Sequence, residues 1–253
     1  MAKAAAKSKK TARRSNAGRA KGPRGFWARV RRWALRLAAV CLAIIALPFL
    51  LVLVYALPFV SPPSTLMAWQ ALQGKSIERT WVPLEEMSEA LRFSVITSED
   101  AKFCRHWGVD FGELKGQVEN AIAGEPTRGA STIPMQAVKN LFLWHGRSYT
   151  RKIIEMPLAM WADLIWSKWR MLEIYLNIVE LGDGVFGVEQ AGLKAFRLSA
   201  VNLNWAQSAR IATSLPSPLT RNAGNPSRRH AALASRVQSR AQKSGAYVGC
   251  VKG

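Results

Sequence analysis

The sequence predicts a mainly α-helical domain behind a single N-terminal membrane helix. Three observations predict this fold class: an uncharged apolar run of membrane length, apolar residues that recur every three or four positions through most of the remainder, and little strand-like alternation. We divide the chain into a basic tail (1–36), a membrane span (37–60), a connector (61–82) and an α-rich globular domain (83–253).

The tail carries most of the net charge. Thirteen of the 36 Lys and Arg residues lie within residues 1–36, and no Asp or Glu precedes Glu78. Its first part, residues 1 to about 24, is rich in Lys, Arg, Ala, Ser and Gly and is too polar and self-repelling to pack, which is typical of disorder. A basic arm can bind nucleic acid, but its position before an apolar run favours a topology signal attracted to anionic lipid. We therefore expect membrane lipids, and no nucleic acid, among its partners.

The apolar run LAAVCLAIIALPFLLVLVYALPFV covers residues 37–60 without a charge. A membrane-spanning helix needs about 20 such residues. The run ends in Ser-Pro-Pro-Ser, which is not a small-residue cleavage site, so we expect an uncleaved anchor. Pro48 and Pro58 weaken the helix but are tolerated in a span. Because positive charge flanks the N-terminal side, the N-terminus is expected in the cytoplasm and residues 61–253 across the membrane.

The globular domain is divided by residues that break helices. Leu84, Met87, Leu91 and Val95 are spaced as on one helix face. A glycine- and proline-bearing segment at 123–132 predicts a loop. The later boundaries predict a helix from Ser131 or Thr132 with Pro134 in its first turn, and one over about 148–166 that is either kinked at Pro157 or begins later. Another helix is predicted from Ser167 to before the turn at 182–184, and a last one, capped by Asn204 and Gln207, ends at Pro216.

The three cysteines are Cys41, in the span, Cys104 and Cys250. Their spacing matches no metal-binding motif. A disulfide between Cys104 and Cys250 is compatible with a location outside the cytoplasm, but we do not expect these two cysteines to pair.

Two adjacent acids, Glu99 and Asp100, interrupt an apolar, helix-like stretch. On a helix, Glu99 shares one side with Leu91, Val95 and Phe103, because these residues are four positions apart. Burial would raise the pKa of Glu99 and make it a useful proton acceptor or donor. The alternative is a buried structural acid satisfied by local hydrogen bonds.

Two later stretches combine hydroxyl and basic residues. Residues 129–142 place a small, hydroxyl-rich turn at a helix start, where free N–H groups attract anions. Residues 146–155 carry Arg147, Arg151 and Lys152, followed by Glu155. These residues form either a surface ion pair of little energy or a cationic cluster that grips a polyanion beside a second carboxylate.

The motif ED-x-x-F-x-x-H-x-G-x-D at 99–110 resembles the first signature of the peptidoglycan glycosyltransferase family, which includes the transglycosylase domains of bifunctional penicillin-binding proteins. Residues 129–140, 151–155 and 168–177 resemble the next three signatures, and 209–218 a weaker fifth. In the second block, Met135 stands where the family usually has a glutamine. The chain lacks the transpeptidase elements S-x-x-K and K-T-G, so it is most similar to a stand-alone, monofunctional member.

The resemblance implies a lysozyme-like helical glycosyltransferase domain that lies in the periplasm, anchored in the bacterial inner membrane. It implies polymerisation of lipid II onto an undecaprenyl-diphosphate-linked glycan, with wall-synthesis or cell-division proteins as partners. A divalent cation (Mg²⁺ or Mn²⁺) at the diphosphate, and no organic cofactor, is expected. The implied catalytic residues are Glu99, as general base, and Glu155. The implied substrate-binding residues are Asp100, His106, Ser131, Thr132, Gln136, Lys139, Asn140, Arg147, Arg151 and Lys152.

Two other functions fit parts of the pattern. A lysozyme-like muramidase also uses a buried glutamate, although a hydrolase has less need for a diphosphate-binding cluster or an anchor. A non-catalytic membrane scaffold would use the basic arm alone, and the presence of both Glu99 and Glu155 argues against it.

Overall fold

A computed structural model of the chain describes residues 23–125, 129, 131–144, 146 and 149–252. These residues form two compact units that divide after Ile45. The helices are α1 Pro23–Tyr55, α2 Thr65–Leu72, α3 Glu89–Glu99, α4 Phe111–Ile122, α5 Ile133–Phe142, α6 Tyr149–Ile165, α7 Lys168–Ile178, α8 Val188–Phe196, α9 Trp205–Ser214 and α10 Arg228–Ala241. The strands are β1 Glu78–Arg79, β2 Glu180–Gly182 and β3 Val185–Phe186. The helical fold class is confirmed.

Helix α1 contains most of the predicted span. Among the described residues it is the one helix long and apolar enough to cross a membrane, over Gly25–Tyr55. The helix begins earlier than the apolar run and ends at Tyr55, five residues before Val60. The early end fits the proline at position 58, because proline disfavours helical backbone in the residue before it. Most of the predicted basic tail lies outside the described residues.

Helix α7 is the centre of the core. Its residues from Arg170 to Ile178 are all buried, and α5, α6 and α8 pack around it. Helix α3 packs on α9 and α10. The three strands form a small sheet in the order β1-β3-β2, with β1 parallel and β2 antiparallel to β3. The predicted turn at 182–184 is confirmed as the connection between β2 and β3.

The buried polar side chains of α7 bind backbone groups of the preceding chain. The guanidinium of Arg170 pairs with Glu173 and donates to the carbonyls of Tyr55 and Leu57 at 3.0 and 2.9 Å. Asn177 accepts the N–H of Val82 and donates to its carbonyl, both at 2.8 Å. These bonds fix the chain that leaves α1 against the centre of the domain.

The predicted helix through Leu84 and Phe103 is shorter than expected. Residues 84–86 form a 3₁₀ turn, and α3 begins only after Ser88, whose hydroxyl caps the N–H of Leu91 at 3.1 Å. The helix then ends at Glu99, so Phe103 lies in the following turns, although it is fully buried. The apolar spacing identified the buried residues correctly but overestimated the length of the helix.

The later helix boundaries agree with the capping signals. Thr132 caps α5 with Pro134 in the first turn, Ser167 caps α7, and Asn204 forms a capping box with Gln207 before α9. Helix α6 continues through Pro157. These helix starts could be predicted from sequence because each capping side chain has an oxygen that accepts a hydrogen bond from one of the first free N–H groups of the helix.

A disulfide joins Cys104 to Cys250, with the two Cα atoms 5.7 Å apart. The expectation that these cysteines would not pair was wrong. The two residues are 146 positions apart, and only the packing of the C-terminal segment against the core brings them together. Cys41, on α1, is free and exposed.

The disulfide should contribute measurably to stability, because it closes a long loop and restricts the unfolded chain. We expect the double variant Cys104→Ser/Cys250→Ser to lose about 2–4 kcal/mol of unfolding free energy. Denaturant unfolding in detergent with and without reductant measures this change. Cys41→Ser is the control and should match the parent protein; equal stability of the double variant would contradict the prediction.

Candidate active site

Glu99 lies at the end of α3, half-buried in a pocket of about 220 Å³. One carboxylate oxygen accepts a hydrogen bond from the amide of Gln136 at 3.1 Å, and the other accepts from the hydroxyl of Ser98 at 3.2 Å. The pocket is also lined by Asp100, Lys102, Asp110, Glu113, Ser131, Thr132 and Arg240. The carboxylate therefore faces a space that a substrate can enter.

The surroundings of Glu99 raise the pKa of its carboxyl group. Burial is the main cause, and the negative charge of Asp100 adds to it. The hydrogen bonds from Gln136 and Ser98 and the positive charge of Arg221 act in the opposite direction. A raised pKa brings a carboxylate closer to the range in which it can accept and release protons at neutral pH.

The Gln136 amide is held by a second, fully buried residue. The Tyr175 hydroxyl, on α7, donates to the carbonyl oxygen of Gln136 at 3.0 Å. This bond turns the NH₂ group of the amide toward Glu99. Burial raises the pKa of Tyr175 well above its usual value, so that the hydroxyl keeps its proton and remains a donor.

Asp100 and His106 bind each other and the start of α5. Both carboxylate oxygens of Asp100 are 2.9 Å from Nε2 of His106, and one also accepts the N–H of Ile133 at 2.9 Å. The Thr132 hydroxyl donates to the carbonyl of Gly108. The hydrogen bonds of Asp100, His106 and Thr132 thus connect the end of α3 and the loop after it to the start of α5.

Gly108 is the residue of the first motif for which a glycine is required. Its φ is +77°, and a Cβ atom at this position would lie 2.6 Å from the carbonyl oxygen of Ala159 on α6. Any other residue would be strained and would clash with backbone. The close contact lets the loop after Glu99 lie directly on α6.

A second group of charged residues surrounds Glu155, which is buried on α6. Arg151 lies 2.7 Å from one carboxylate oxygen of Glu155, and Lys152 lies 3.6 Å from the other. Lys139, on α5, is electrostatically coupled to Glu155 as well as to Arg151 and Lys152. Burial, followed by the charges of neighbouring cations, lowers the pKa of Lys139; burial also lowers that of Lys152. The Glu155 carboxylate is therefore paired with two cations and electrostatically coupled to a third.

Helix α5 connects the two carboxylates. Gln136 binds Glu99, and Lys139 lies three residues further along, on the same side of the helix and close to the charged group around Glu155. Just before the helix, the Ser131 hydroxyl lines the Glu99 pocket and accepts a hydrogen bond from Lys152.

Of the two remaining predicted substrate-binding residues, the structure places one. Asn140 is buried on α5, where its backbone carbonyl accepts a hydrogen bond from the hydroxyl of Thr65. Arg147 lies outside the described residues.

The described residues do not fit a metal ion held by the protein alone. Both oxygens of Glu155 face cationic side chains, and no group of three His, Cys, Asp or Glu side chains suited to a metal occurs in the described parts of the chain. Mg²⁺ and Mn²⁺ prefer several oxygen ligands. A carboxylate already paired with Arg and Lys is a poor ligand for either ion.

Three residues near Glu99 are absent from the set predicted from sequence: Tyr175, Arg221 and Arg240. Tyr175 lies in the fourth motif block, and a hydroxyl on a fully buried helix signals a partner inside the protein. Arg221 follows α9 and donates to the carbonyl of Thr213 at 2.8 Å. No sequence signal placed Arg221 or Arg240 close to Glu99, because their position depends on how α9 and α10 pack against α3.

Family comparison agrees with this arrangement of motifs. The transglycosylase family model matches residues 66–243, so the chain belongs to the transglycosylase family. Proteins named biosynthetic peptidoglycan transglycosylase are similar over nearly their whole length. The protein from Agrobacterium fabrum is 50% identical over 87% of this chain and 98% of its own, that from Rhizobium meliloti 46% over 90% and 99%, and that from Brucella suis 48% over 87% and 100%.

The link from Tyr175 to Glu99 can be tested through the titration of Glu99 itself. In Tyr175→Phe the Gln136 amide loses its fixed orientation, so its stabilisation of the charged carboxylate weakens and the pKa of Glu99 should rise further. Carbon NMR of isotope-labelled glutamate side chains, assigned with Glu99→Gln, follows this titration. Tyr247→Phe, near the C-terminus, is the control. An unshifted or lowered pKa in Tyr175→Phe would show that Gln136 does not depend on Tyr175.

Proposed function

We propose that this protein polymerises peptidoglycan glycan chains. The substrate pair is lipid II and a growing glycan linked to undecaprenyl diphosphate, and the product is a β-1,4-linked chain extended by one disaccharide. The observation that carries the proposal is the placement of two glutamates beside one side of α5, where Gln136 binds Glu99 and Lys139 is electrostatically coupled to Glu155. Glu99 has a raised pKa and faces a pocket, whereas Glu155 lies among three cations. The similarity to proteins named biosynthetic peptidoglycan transglycosylase supports the substrate class.

Glu99 acts as the general base. The 4-hydroxyl of lipid II loses its proton to the Glu99 carboxylate while its oxygen forms a bond to the anomeric carbon of the growing chain. The bond from that carbon to the diphosphate oxygen breaks, with inversion at the anomeric centre, and undecaprenyl diphosphate leaves with the bonding electron pair. The hydrogen bond from Gln136 to one carboxylate oxygen fixes the orientation of the Glu99 carboxylate for this proton transfer.

The cations stabilise the leaving diphosphate. Negative charge develops on the diphosphate oxygen as the bond breaks, and fixed positive charges at that point lower the barrier. Arg151, Lys139 and Lys152 supply these charges; the guanidinium of Arg151 is also held by the carbonyl of Trp144, to which it donates at 3.0 Å. Glu155 keeps Arg151 and Lys152 in place through its two ion pairs. This positioning explains why a carboxylate lies at a site that binds an anion.

A divalent cation at this site would be held mainly by the diphosphate. Because the carboxylate of Glu155 is already paired, we derive no step through Mg²⁺ or Mn²⁺. Addition of a chelator should therefore reduce activity less than removal of Lys139, and assays with and without chelator compare the two.

The anchor and the disulfide support a location at the outer face of the bacterial inner membrane. Positive charge before the apolar run favours a cytoplasmic N-terminus and a periplasmic catalytic domain. The Cys104–Cys250 disulfide is of the kind that persists in an oxidising compartment. A single-pass anchor keeps the active site beside lipid-linked substrates in the same membrane, where wall-synthesis and cell-division proteins are also available as partners.

Glu99→Gln should reduce polymerisation of lipid II by about 10²–10⁴-fold, because glutamine cannot accept the proton. Gel analysis of glycan product measures the loss, and thermal unfolding checks that the fold is kept. Glu89→Gln, at the exposed start of the same helix, is the control. Shortened glycan from the parent protein would indicate a muramidase, and no reaction at all would indicate a scaffold. Full activity in Glu99→Gln would remove this residue from the mechanism.

Lys139→Gln should weaken binding of the diphosphate and reduce polymerisation by about 10- to 100-fold, as expected for loss of one charge-assisted contact to the leaving group. Titration calorimetry with inorganic pyrophosphate measures the binding. Lys115→Gln, exposed on α4, is the control. Unchanged pyrophosphate affinity in Lys139→Gln would assign the diphosphate to another site.

A further inference from the structure

The C-terminal quarter of the chain has a one-sided charge. Residues 190–253 contain ten Lys and Arg residues and no Asp or Glu. Several of these cations lie on α10, whose buried side is formed by His230, Ala234, Val237 and Ala241. The helix packs against α3 and α9 through this side, and its opposite side faces solvent.

Three arginines form a stripe on the exposed side of α10. Arg229, Arg236 and Arg240 lie within about 40° of one another, since each residue turns an α-helix by about 100°. The stripe is about 16 Å long, at about 1.5 Å per residue. All three side chains are exposed, and none of them has a carboxylate within ion-pair distance among the described residues.

The stripe begins at the active-site pocket. Arg240 lines the same pocket as Glu99 and donates to the carbonyl of Thr97 at 3.3 Å. Arg236 and Arg229 continue from it along α10, away from the pocket. The other cation of the pocket wall, Lys102, is paired with Asp110 at 2.9 Å. Among the described residues that line the pocket, Arg240 is therefore the cation not paired with a carboxylate, and the arginine stripe extends its positive charge outward.

We propose that this arginine stripe binds the acidic peptides carried by the glycan substrate. The inference rests on the proposed function, in which every disaccharide brought to Glu99 bears a peptide with free carboxylates. Guanidinium groups bind carboxylates through two parallel hydrogen bonds. A stripe that starts at the pocket and runs outward matches a peptide attached to a sugar inside the pocket.

Anionic lipid is the competing partner, and the packing of α10 argues against it. The end of α1 contacts α6, where the indole N–H groups of Trp161 and Trp166 donate to the carbonyls of Phe49 and Val52 at 3.0 and 2.7 Å. Helix α10 instead packs on α3 and α9. The stripe thus lies on a different group of helices from the one that holds the end of the anchor.

The test uses the full chain in nonionic detergent and the double variant Arg229→Gln/Arg236→Gln, which leaves Arg240 in the pocket. The matched control, Arg228→Gln/Lys252→Gln, removes the same charge from exposed positions off the stripe. With lipid II at low salt, we expect the KM of the stripe variant to rise about 3- to 10-fold with kcat within twofold, because the lost contacts are equal in substrate and transition state. The control should be unchanged.

A second substrate separates peptide recognition from general charge effects. Lipid II with its peptide carboxylates amidated should have the same KM for parent, stripe variant and control. An equal rise in KM for both substrates, or no rise for either, would overturn the proposal. It would also fail if the stripe variant lost binding to phosphatidylglycerol vesicles while its KM for lipid II stayed unchanged, since the stripe would then serve the membrane.

The proposed function can fail separately. Equilibrium binding of a fluorescent, peptide-bearing disaccharide requires no turnover, and its affinity should fall about 3- to 10-fold in the stripe variant. If the parent protein does not polymerise lipid II but the stripe still governs this binding, the proposed function is wrong and the peptide site stands. If polymerisation occurs and the binding does not depend on the stripe, the peptide site is wrong.

Discussion

The burial of polar groups on α7 is the constraint on which the rest of the structure depends. A polar group inside a protein must find a hydrogen-bond partner, because leaving it unpaired costs about 1–3 kcal/mol. On the buried part of this helix, Arg170 binds carbonyls at the end of the anchor, Asn177 binds the backbone of Val82, and Tyr175 binds Gln136. A single helix thereby fixes the anchor's end, the connector and the amide that holds Glu99.

Helix α5 carries residues that interact with both glutamates of the candidate active site. Its start is held by Thr132 and by the Asp100 carboxylate, so Asp100 joins the end of α3 to the beginning of α5. Gln136, which binds Glu99, and Lys139, which is coupled to Glu155, then lie three residues apart on the same side of α5. In the proposed reaction these groups are therefore carried by helices rather than by a flexible loop, in keeping with the precision that catalysis requires.

The positively charged side chains of the domain form two groups that differ in burial. The cations around Glu155 are partly buried and hold their positions through ion pairs, as suits a site that must be ready when a diphosphate leaves. The arginines of α10 are exposed and unpaired by carboxylates in the described chain, as suits a surface that guides substrate and is sensitive to salt. Under the two proposals, cations of the same type therefore serve two different purposes, and the difference in their burial separates them.

The sequence by itself determined the membrane-length helix, the capped starts of α5, α7 and α9, and the motif blocks that carry Glu99 and Glu155. These features are local, because they depend on residue spacing within one or two helical turns. Tertiary structure alone decided that α3 stops at Glu99, that Cys104 meets Cys250, and that Tyr175 and Arg240 approach the pocket. The last two of these join residues far apart in the chain, and no short-range pattern encodes which buried partners or helix faces will meet.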